Sequence, residues 1–251
     1  MAMQKNSRFL SLFSASKPIL GMLHLKGDTP EETVERAMRE LDTLLENGVD
    51  GVIVEDYYGT ADEVEQVLAR IAAERPQAVR GVNVLHDLDR AFALAGAYGA
   101  QFIQWDSVAG HLKPEDEPAF AEHLAALRAD SSACLLGGVR FKYQPYLSGR
   151  PLEEDMELAL DRCDGIVVTG AGTGLDTGLE KIQAFGRLIA GRVPLIVGAG
   201  LTAVTAAEQL ALADGAIVGS YFKEDHNAEN ELCPAHVADF MAAVRQARNI
   251  Q

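Results

Sequence analysis

The sequence predicts a single (β/α)8 barrel, a closed sheet of eight parallel strands surrounded by eight helices. Short apolar runs rich in β-branched residues alternate along the chain with longer amphipathic stretches, the order expected of parallel strands joined by helices. Eight units of this kind fit into 251 residues, the usual size of one barrel domain. A doubly wound open sheet is the alternative, but eight repeated units favour a closed sheet.

The predicted elements follow one another from residue 18 to residue 248. The strands are expected at Pro18–His24, Gly51–Glu55, Val79–Leu85, Gln101–Trp105, Ala133–Lys142, Gly165–Thr169, Pro194–Gly198 and Gly215–Ser220. The helices are expected near residues 31–47, 61–74, 88–98, 115–129, 152–162, 178–190, 202–212 and 234–248. Because no linker interrupts this order, we expect residues 1–16 to form an N-terminal extension and residues 17–251 to form the barrel domain.

One phrase occurs three times, each time where a helix is expected to end and a buried strand to begin. The copies start at Asp50, Asp164 and Asp214 and read Asp-Gly followed by three apolar residues. Their unequal spacing excludes a solenoid of regular repeats. We expect the glycine of each copy to serve the turn before the strand.

The composition narrows the possible partners. The chain has 22 Lys and Arg residues against 37 Asp and Glu residues, a formal net charge of −15, which disfavours binding to nucleic acid or to an anionic membrane. No apolar run is long enough to span a membrane, and no secretory signal pattern is present. The three cysteines, Cys134, Cys163 and Cys233, form neither a disulfide framework nor a metal motif. We therefore expect a cytoplasmic protein. A homo-oligomer is also expected, because barrels commonly associate through their helices or bottom loops.

Polar side chains are predicted at the carboxyl-terminal mouth of the barrel. Strand side chains alternate between two faces, and Val82 and Val84 suit the face under the helices, so Asn83 faces inward. The same alternation places eight polar residues inside: His24, Glu55, Asn83, Gln104, Asp106, Arg140, Lys142 and Thr169. Gln104 and Arg140 are expected one layer deeper, as a supporting network. Barrel active sites lie at this mouth, and unpaired buried polar groups are costly, so we expect a functional site.

Five of these residues are candidate catalytic residues. Glu55 would act as general acid or base, and Lys142 would polarise a carbonyl group or form a Schiff base. Asn83 and His24 would orient the substrate or share the proton transfer. The alternatives are structural: a satisfied imidazole for His24, and for Asp106 a cap of the loop after its strand. No cofactor is expected, although Mg²⁺ bound by Glu55, Asn83 and Asp106 is an open alternative.

Glycine-rich segments follow the last three predicted strands. Glycine lets backbone N–H groups approach an anion, and the loops after the last barrel strands are the usual phosphate site. The expected phosphate-binding residues are Thr169, Gly170, Gly172, Gly198, Gly200, Gly219 and Ser220. The alternative is that these glycines only fit tight turns.

The ordered combination of motifs resembles the BtpA/SgcQ family of barrel proteins. The matching phrases are Lys17–Leu25, Gly48–Gly51 with Val54 and Glu55, Gly81–Leu85, Val168–Gly174, Val197–Thr202 and Asp214–Lys223, within residues 17–245. The resemblance implies a (β/α)8 fold. For one branch of the family it implies a role in photosystem I biogenesis, and for another a place in sugar metabolism. Some members look like phosphoribosylanthranilate isomerase, through similar phosphate loops.

The chain departs from the family pattern at two places on the same mouth. After His24, the Pro-rich loop of the family is reduced to residues 25–30. Residues 55–59 read Glu-Asp-Tyr-Tyr-Gly, where the family tends to have Glu-Asn-aromatic-Gly-Asp. The substrate of a relative therefore need not carry over.

These observations predict an enzyme with isomerase or lyase chemistry on a phosphorylated sugar or nucleotide-like metabolite. The alternatives are a non-catalytic assembly factor, with the photosystem-biogenesis role that the resemblance implies, and a Mg²⁺-dependent barrel enzyme. An assembly factor has no need for Glu55 and Lys142 at the mouth, and it should display an apolar surface patch.

Overall fold

Eight parallel strands close into a barrel in chain order in the computed structural model, which describes residues 7–249. The strands are β1 (Ile19–His24), β2 (Gly51–Glu55), β3 (Arg80–Asn83), β4 (Phe102–Ala109), β5 (Cys134–Val139), β6 (Gly165–Val168), β7 (Leu195–Gly198) and β8 (Gly215–Val218). The helices are α1 (Pro30–Glu46), α2 (Ala61–Glu74), α3 (Leu88–Tyr98), α4 (Glu117–Ala129), α5 (Leu152–Arg162), α6 (Leu179–Ile189), α7 (Ala206–Leu212) and α8 (Pro234–Asn249). The predicted (β/α)8 barrel is confirmed.

Five strands end at positions different from those predicted: β3, β6 and β8 stop one or two residues earlier, and the differences in β4 and β5 bear on the site. Strand β5 stops at Val139, because Arg140 has a φ of 48° in the left-handed region and cannot continue the ladder. Strand β4 instead runs on to Ala109, with a shift of register against β5 between Trp105 and Ala109. Both differences lie at the carboxyl-terminal mouth, so they change which side chains reach the site.

Polar caps fix the starts of the first two helices. The Thr29 side chain accepts a hydrogen bond from the backbone N–H of Glu32 at the start of α1. At α2, the Thr60 side chain accepts from the N–H of Glu63, and the Glu63 carboxylate accepts from the N–H of Thr60. These contacts satisfy helix N–H groups that have no partner within the helix. They therefore fix where the loops after β1 and β2 end.

The recurring Asp-Gly phrase ties neighbouring strands together at the amino-terminal end of the barrel. Each Asp carboxylate accepts a hydrogen bond from a backbone N–H at the start of the preceding strand: Asp50 from Ile19 at 2.8 Å, Asp164 from Leu135 at 2.7 Å and Asp214 from Leu195 at 2.9 Å. The expectation that the glycines serve the turn is wrong, because they are the first residues of their strands. A Cβ at Gly215 would lie 2.8 Å from the Pro18 carbonyl oxygen just before β1, so close packing requires glycine there, and one at Gly165 would lie 2.8 Å from the Leu136 side chain of β5.

Aromatic and aliphatic side chains fill the barrel from its amino-terminal end. Phe9, from the N-terminal extension, is fully buried and packs edge-on against Phe102, with ring centroids 5.5 Å apart. The interior cluster comprises Phe9, Leu20, Met22, Ile53, Phe102, Cys134, Leu136, Phe141, Val167, Ile196 and Ile217. Since this end is filled, the space for a ligand lies at the opposite, carboxyl-terminal mouth.

Candidate active site

A cavity of about 200 Å³ lies at the carboxyl-terminal mouth, above the apolar filling of the barrel. Ten of the residues expected at the site line it: His24, Glu55, Gln104, Asp106, Lys142, Thr169, Gly198, Gly200, Gly219 and Ser220. Apolar side chains from the barrel interior, including Met22 and Ile217, complete the lining. The cavity thus combines an apolar base with polar groups supplied by several strands, as ligand sites commonly do.

Glu55 lies between two other polar residues at the ends of three adjacent strands. The sheet register pairs His24 with Glu55 and Glu55 with Asn83, so the three side chains share the inner face. Asn83 Nδ2 donates to Glu55 Oε1 at 2.7 Å, and His24 Nε2 lies 3.4 Å from Glu55 Oε2. All three are buried. The alternation of the strands therefore does bring these predicted residues together.

Burial sets the protonation states of Glu55 and His24. It raises the pKa of Glu55 to about 8, with a further upward effect from the negative charge of Asp106. Burial also lowers the pKa of His24 to about 3, assisted by the positive charges of Lys223 and Lys142. At neutral pH the contact between His24 and Glu55 is therefore one between a neutral imidazole and a protonated carboxyl group. It is not an ion pair.

A second carboxyl group, that of Asp106, faces the same cavity. Burial raises its pKa, while the charge of Lys142 and the amides of Asn83 and Gln104 lower it in part. Asp106 is only half-buried, whereas Glu55 is buried, so Asp106 is the first of the two to ionise. Between the pKa values of the two groups, Asp106 is therefore a proton acceptor and Glu55 a proton donor.

Lys142 is held at the mouth by the segment that follows β6. Its Nζ donates to Thr173 Oγ1 at 2.9 Å, and the same oxygen lies 3.1 Å from the Tyr57 hydroxyl. The backbone N–H of Thr173 donates to the Tyr143 hydroxyl at 2.9 Å. Thr173 thus joins the loops after β2, β5 and β6 over the cavity.

The glycine-rich segments only partly occupy the positions expected of them. Gly170 and Gly172 are not among the lining residues of the cavity. A Cβ at Gly170 would lie 2.6 Å from the carbonyl oxygen of Leu175, and one at Gly200 would overlap the same carbonyl group. At Gly219 a Cβ would lie 2.8 Å from His24 Cε1. Close packing of the loop after β6 and of His24 therefore explains these glycines without an anion, and phosphate binding stays a prediction.

The inward position predicted for Arg140 is wrong. Because β5 ends at Val139, the guanidinium leaves the barrel, where Nε donates to Asp155 Oδ2 at 3.0 Å. Asp155, fully buried in α5, also accepts from Arg150 Nε at 3.1 Å. Arg140 and Arg150 therefore anchor the loop after β5 to α5. Gln104, the other expected supporting residue, does line the cavity.

Two residues at the mouth were missed by the sequence analysis as site residues. Tyr57 continues the alternation of Glu55 by two positions, so extending the strand pattern into the loop would have found it. Thr173 lies in an irregular loop, where no periodicity applies. Its role is visible only from its contacts with Tyr57 and Lys142.

Residues 7–249 contain neither a cluster of metal-binding side chains nor a membrane-spanning helix. That part of the chain contains no group of three or more His, Cys, Asp or Glu side chains placed to hold a metal ion. The Mg²⁺ alternative, whose proposed ligands include Asn83, stays a prediction. No helix in the same range is long and apolar enough to cross a bilayer. The expected cytoplasmic location and homo-oligomeric state also stay predictions.

Comparison with known proteins identifies the family. The model of the BtpA family matches residues 15–246, almost the whole barrel. The chain belongs to the BtpA family. The resemblance drawn from the sequence motifs is thereby confirmed. Among BtpA relatives, the photosystem I biogenesis protein BtpA of Synechocystis is 26% identical, over 93% of this chain and 90% of its own length.

Solved structures similar to this BtpA-family chain include barrel enzymes of phosphorylated metabolites. Phosphoribosyl anthranilate isomerase from Thermus thermophilus has a TM-score of 0.60 and 14% identity, covering 91% of this chain and 98% of its own. Thiamine phosphate pyrophosphorylase from Pyrococcus furiosus has a TM-score of 0.59 and 18% identity, covering 92% and 96%. At these identities the similarity concerns the fold.

Proposed function

We propose that the protein is an enzyme that moves a proton within a small phosphorylated sugar or nucleotide-like metabolite, by isomerase or lyase chemistry. The observation that carries this proposal is the pair of carboxyl groups in one cavity, with Glu55 protonated near neutral pH and Asp106 the first of the two to ionise. Active sites separate the pKa values of neighbouring acids in this way to obtain one donor and one acceptor. A purely structural mouth has no use for such a pair.

Each group has a defined task in this proposal. Asp106 removes a proton from a carbon next to a carbonyl group, while Glu55 donates its proton to the carbonyl oxygen. The positive charge of Lys142 stabilises the oxygen as negative charge develops on it. His24 and Asn83 hold the Glu55 carboxyl group in position. The Schiff-base role considered for Lys142 is the alternative within the same site.

In this proposal the phosphate group of the substrate binds at the ends of β7 and β8. In the described part of the chain, the backbone N–H groups of Ala199, Gly200 and Leu201 donate to no protein acceptor. Free N–H groups in a tight loop are suited to binding an anion. Two structurally similar barrels carry names that refer to phosphorylated compounds, phosphoribosyl anthranilate and thiamine phosphate.

The proposal is tested by the exchange of carbon-bound hydrogen of a substrate with solvent deuterium. The purified protein is incubated in deuterated water with a panel of sugar phosphates, with and without a chelator, and deuterium on carbon is measured by mass spectrometry. Uptake into at least one compound is expected, with a loss of more than about 100-fold in Glu55→Gln and Asp106→Asn. Glu157→Gln, an exposed acid on α5, is the control and retains the rate. Uptake that survives both site substitutions would refute the proposal, and uptake lost with the chelator would favour the Mg²⁺ alternative.

A second candidate function is suggested by exposed apolar side chains in the loop after β5. Tyr143, Tyr146 and Leu147 are 70%, 62% and 45% exposed. Such a surface suits a protein partner, and the Synechocystis relative is named as a photosystem I biogenesis protein. If the protein is an assembly factor, Tyr146→Ser and Leu147→Ser will abolish its association with a partner, and Glu55→Gln will not.

A further inference from the structure

A second cavity, of about 250 Å³, adjoins the candidate active site beside β3 and β4. Its lining residues are Asn83, Leu85, His86, Trp105, Asp106, Ser107, His111 and Gln144. Four of them, Leu85, His86, Asp106 and Gln144, also line the first cavity. A ligand that reaches Asp106 in the first cavity is therefore at the edge of the second.

Three buried polar atoms of this lining lack a hydrogen-bond partner within residues 7–249. They are Asn83 Oδ1, Ser107 Oγ and His111 Nδ1. Asn83 is fully buried and Ser107 is 2% exposed. The other end of the Asn83 amide donates to Glu55, which leaves Oδ1 as an acceptor. Unpaired polar atoms at this depth are costly in a fold, so they point to a ligand.

The irregular end of β4 brings several of the residues that line the second cavity together. In a regular strand, consecutive side chains point to opposite faces, yet Trp105, Asp106 and Ser107 all line the second cavity. The shift of register between Trp105 and Ala109 accounts for this, as a bulge re-aims side chains next to a site. His111 is fixed by an edge-on contact with Phe120, with ring centroids 5.2 Å apart.

The chemistry of the lining selects the kind of ligand group. It contains no Lys or Arg, so it is unsuited to a phosphate group. Asn83 Oδ1 and the Asp106 carboxylate accept hydrogen bonds, whereas the Ser107 hydroxyl donates and accepts. Burial lowers the pKa of His111, so its ring stays neutral and offers one donor and one acceptor nitrogen. Hydroxyl groups, which also donate and accept, match this set.

We propose that the second cavity binds the hydroxylated, unphosphorylated end of a sugar substrate, through Asn83 Oδ1, Ser107 Oγ and His111 Nδ1. The apolar face of Trp105 lies against the carbon skeleton. This inference rests on the proposed function only for the phosphate group at the other end of the substrate. The second cavity thereby determines substrate specificity, because a substrate without hydroxyl groups at this end leaves the three polar atoms unpaired.

The experiment compares three probes by calorimetry: ribose 5-phosphate, unphosphorylated ribose and inorganic phosphate. Ser107→Ala is expected to weaken the binding of ribose 5-phosphate by about three- to tenfold, which corresponds to the loss of one hydrogen bond. The affinity for inorganic phosphate should be unchanged. Ser220→Ala, at the proposed phosphate end, is the counterpart. It is expected to weaken the binding of both ribose 5-phosphate and inorganic phosphate. Without ligand, Ser107→Ala should melt no lower than wild type, because the hydroxyl it removes has no protein partner.

The outcomes separate this inference from the proposed function. If ribose 5-phosphate binds with equal affinity to wild type and Ser107→Ala, the second cavity is not a sugar site. Failure of both ribose and ribose 5-phosphate to bind wild type also overturns the inference. In a third outcome, ribose binds and Ser107→Ala lowers its affinity, while neither ribose 5-phosphate nor inorganic phosphate binds more tightly than ribose. That outcome supports the second cavity and refutes a phosphorylated substrate.

Discussion

Asn83 donates a hydrogen bond of 2.7 Å to Glu55 Oε1 from the end of the neighbouring strand. Because the amide N–H is a donor, Oε1 is an acceptor, and the proton of the neutral Glu55 carboxyl group resides on Oε2. That oxygen lies 3.4 Å from His24 Nε2. Burial keeps the acid neutral, and the hydrogen bond from Asn83 fixes the oxygen from which it donates.

Glu55→Gln is expected to stabilise the protein increasingly as the pH rises. The pKa of Glu55 is about 8 in the folded chain, against an ordinary value of 4.5. Between these values the folded state binds a proton that the unfolded state lacks, so wild-type stability falls as the pH rises. The melting temperature of Glu55→Gln minus that of wild type should grow from pH 5 to pH 8.

The control for this titration is Glu157→Gln. The exposed Glu157 pairs with Arg192, which lowers its pKa, so this substitution should show no gain with pH. A difference between Glu55→Gln and wild type that stays constant across the range would show that Glu55 is ionised in the folded protein.

The fold and most of the inner face could be predicted from the sequence because both follow from periodicity. The alternation of Val82, Asn83 and Val84 extends without change to His24 and Glu55, whose strands are regular. Strand alternation requires extended backbone, and it fails where the backbone departs from it.

Two such departures explain what the sequence did not predict. At Arg140 a φ of 48° ends β5 and turns the guanidinium toward Asp155. In β4 a shift of register brings Ser107 to the same side as Asp106. Neither residue type signals these conformations, so no pattern of residues alone would have found the second cavity.

Gly200→Ala should destabilise the protein more than Gly149→Ala. Both glycines have a positive φ, of 72° and 68°, so both substitutions carry a backbone cost of about 1 kcal/mol. A Cβ at Gly200 would also overlap the Leu175 carbonyl group, whereas Gly149 has open space. Urea unfolding should show an additional loss of about 1 kcal/mol or more at Gly200. Equal losses would mean that the loop after β6 does not rest on Gly200.

Thr173→Val should loosen the loop after β6 without unfolding the barrel. Valine keeps the shape of threonine but removes the oxygen that joins Lys142 Nζ and the Tyr57 hydroxyl. Hydrogen exchange of residues 170–178 should accelerate several-fold, while the melting temperature changes little. Thr43→Val, at a partly exposed position of α1, provides the control. Unchanged exchange would show that other contacts, such as that of Thr177 Oγ1 with the Ala199 carbonyl oxygen, hold the loop without the Thr173 hydroxyl.

Lys223→Met should cost about 3 kcal/mol of stability. The fully buried Lys223 Nζ lies 2.6 Å from both carboxylate oxygens of Glu40, and it ties the loop after β8 to α1. Removing it leaves the Glu40 carboxylate with Arg36 as its remaining cation, at 3.1 Å. The double variant Lys223→Met/Glu40→Leu should regain most of the loss in urea unfolding. A double variant less stable than Lys223→Met would mean that the pair contributes little.

The protonation of Glu55 is the claim on which the proposed acid–base chemistry depends, and a carboxyl-carbon NMR titration measures it directly. With carboxyl-labelled glutamate, the signal that disappears in Glu55→Gln belongs to Glu55. We predict a titration midpoint near pH 8, with the carboxyl group neutral at pH 6. A midpoint near the ordinary value of 4.5 would place two ionised carboxylates in the cavity and contradict the assignment of Glu55 as the proton donor.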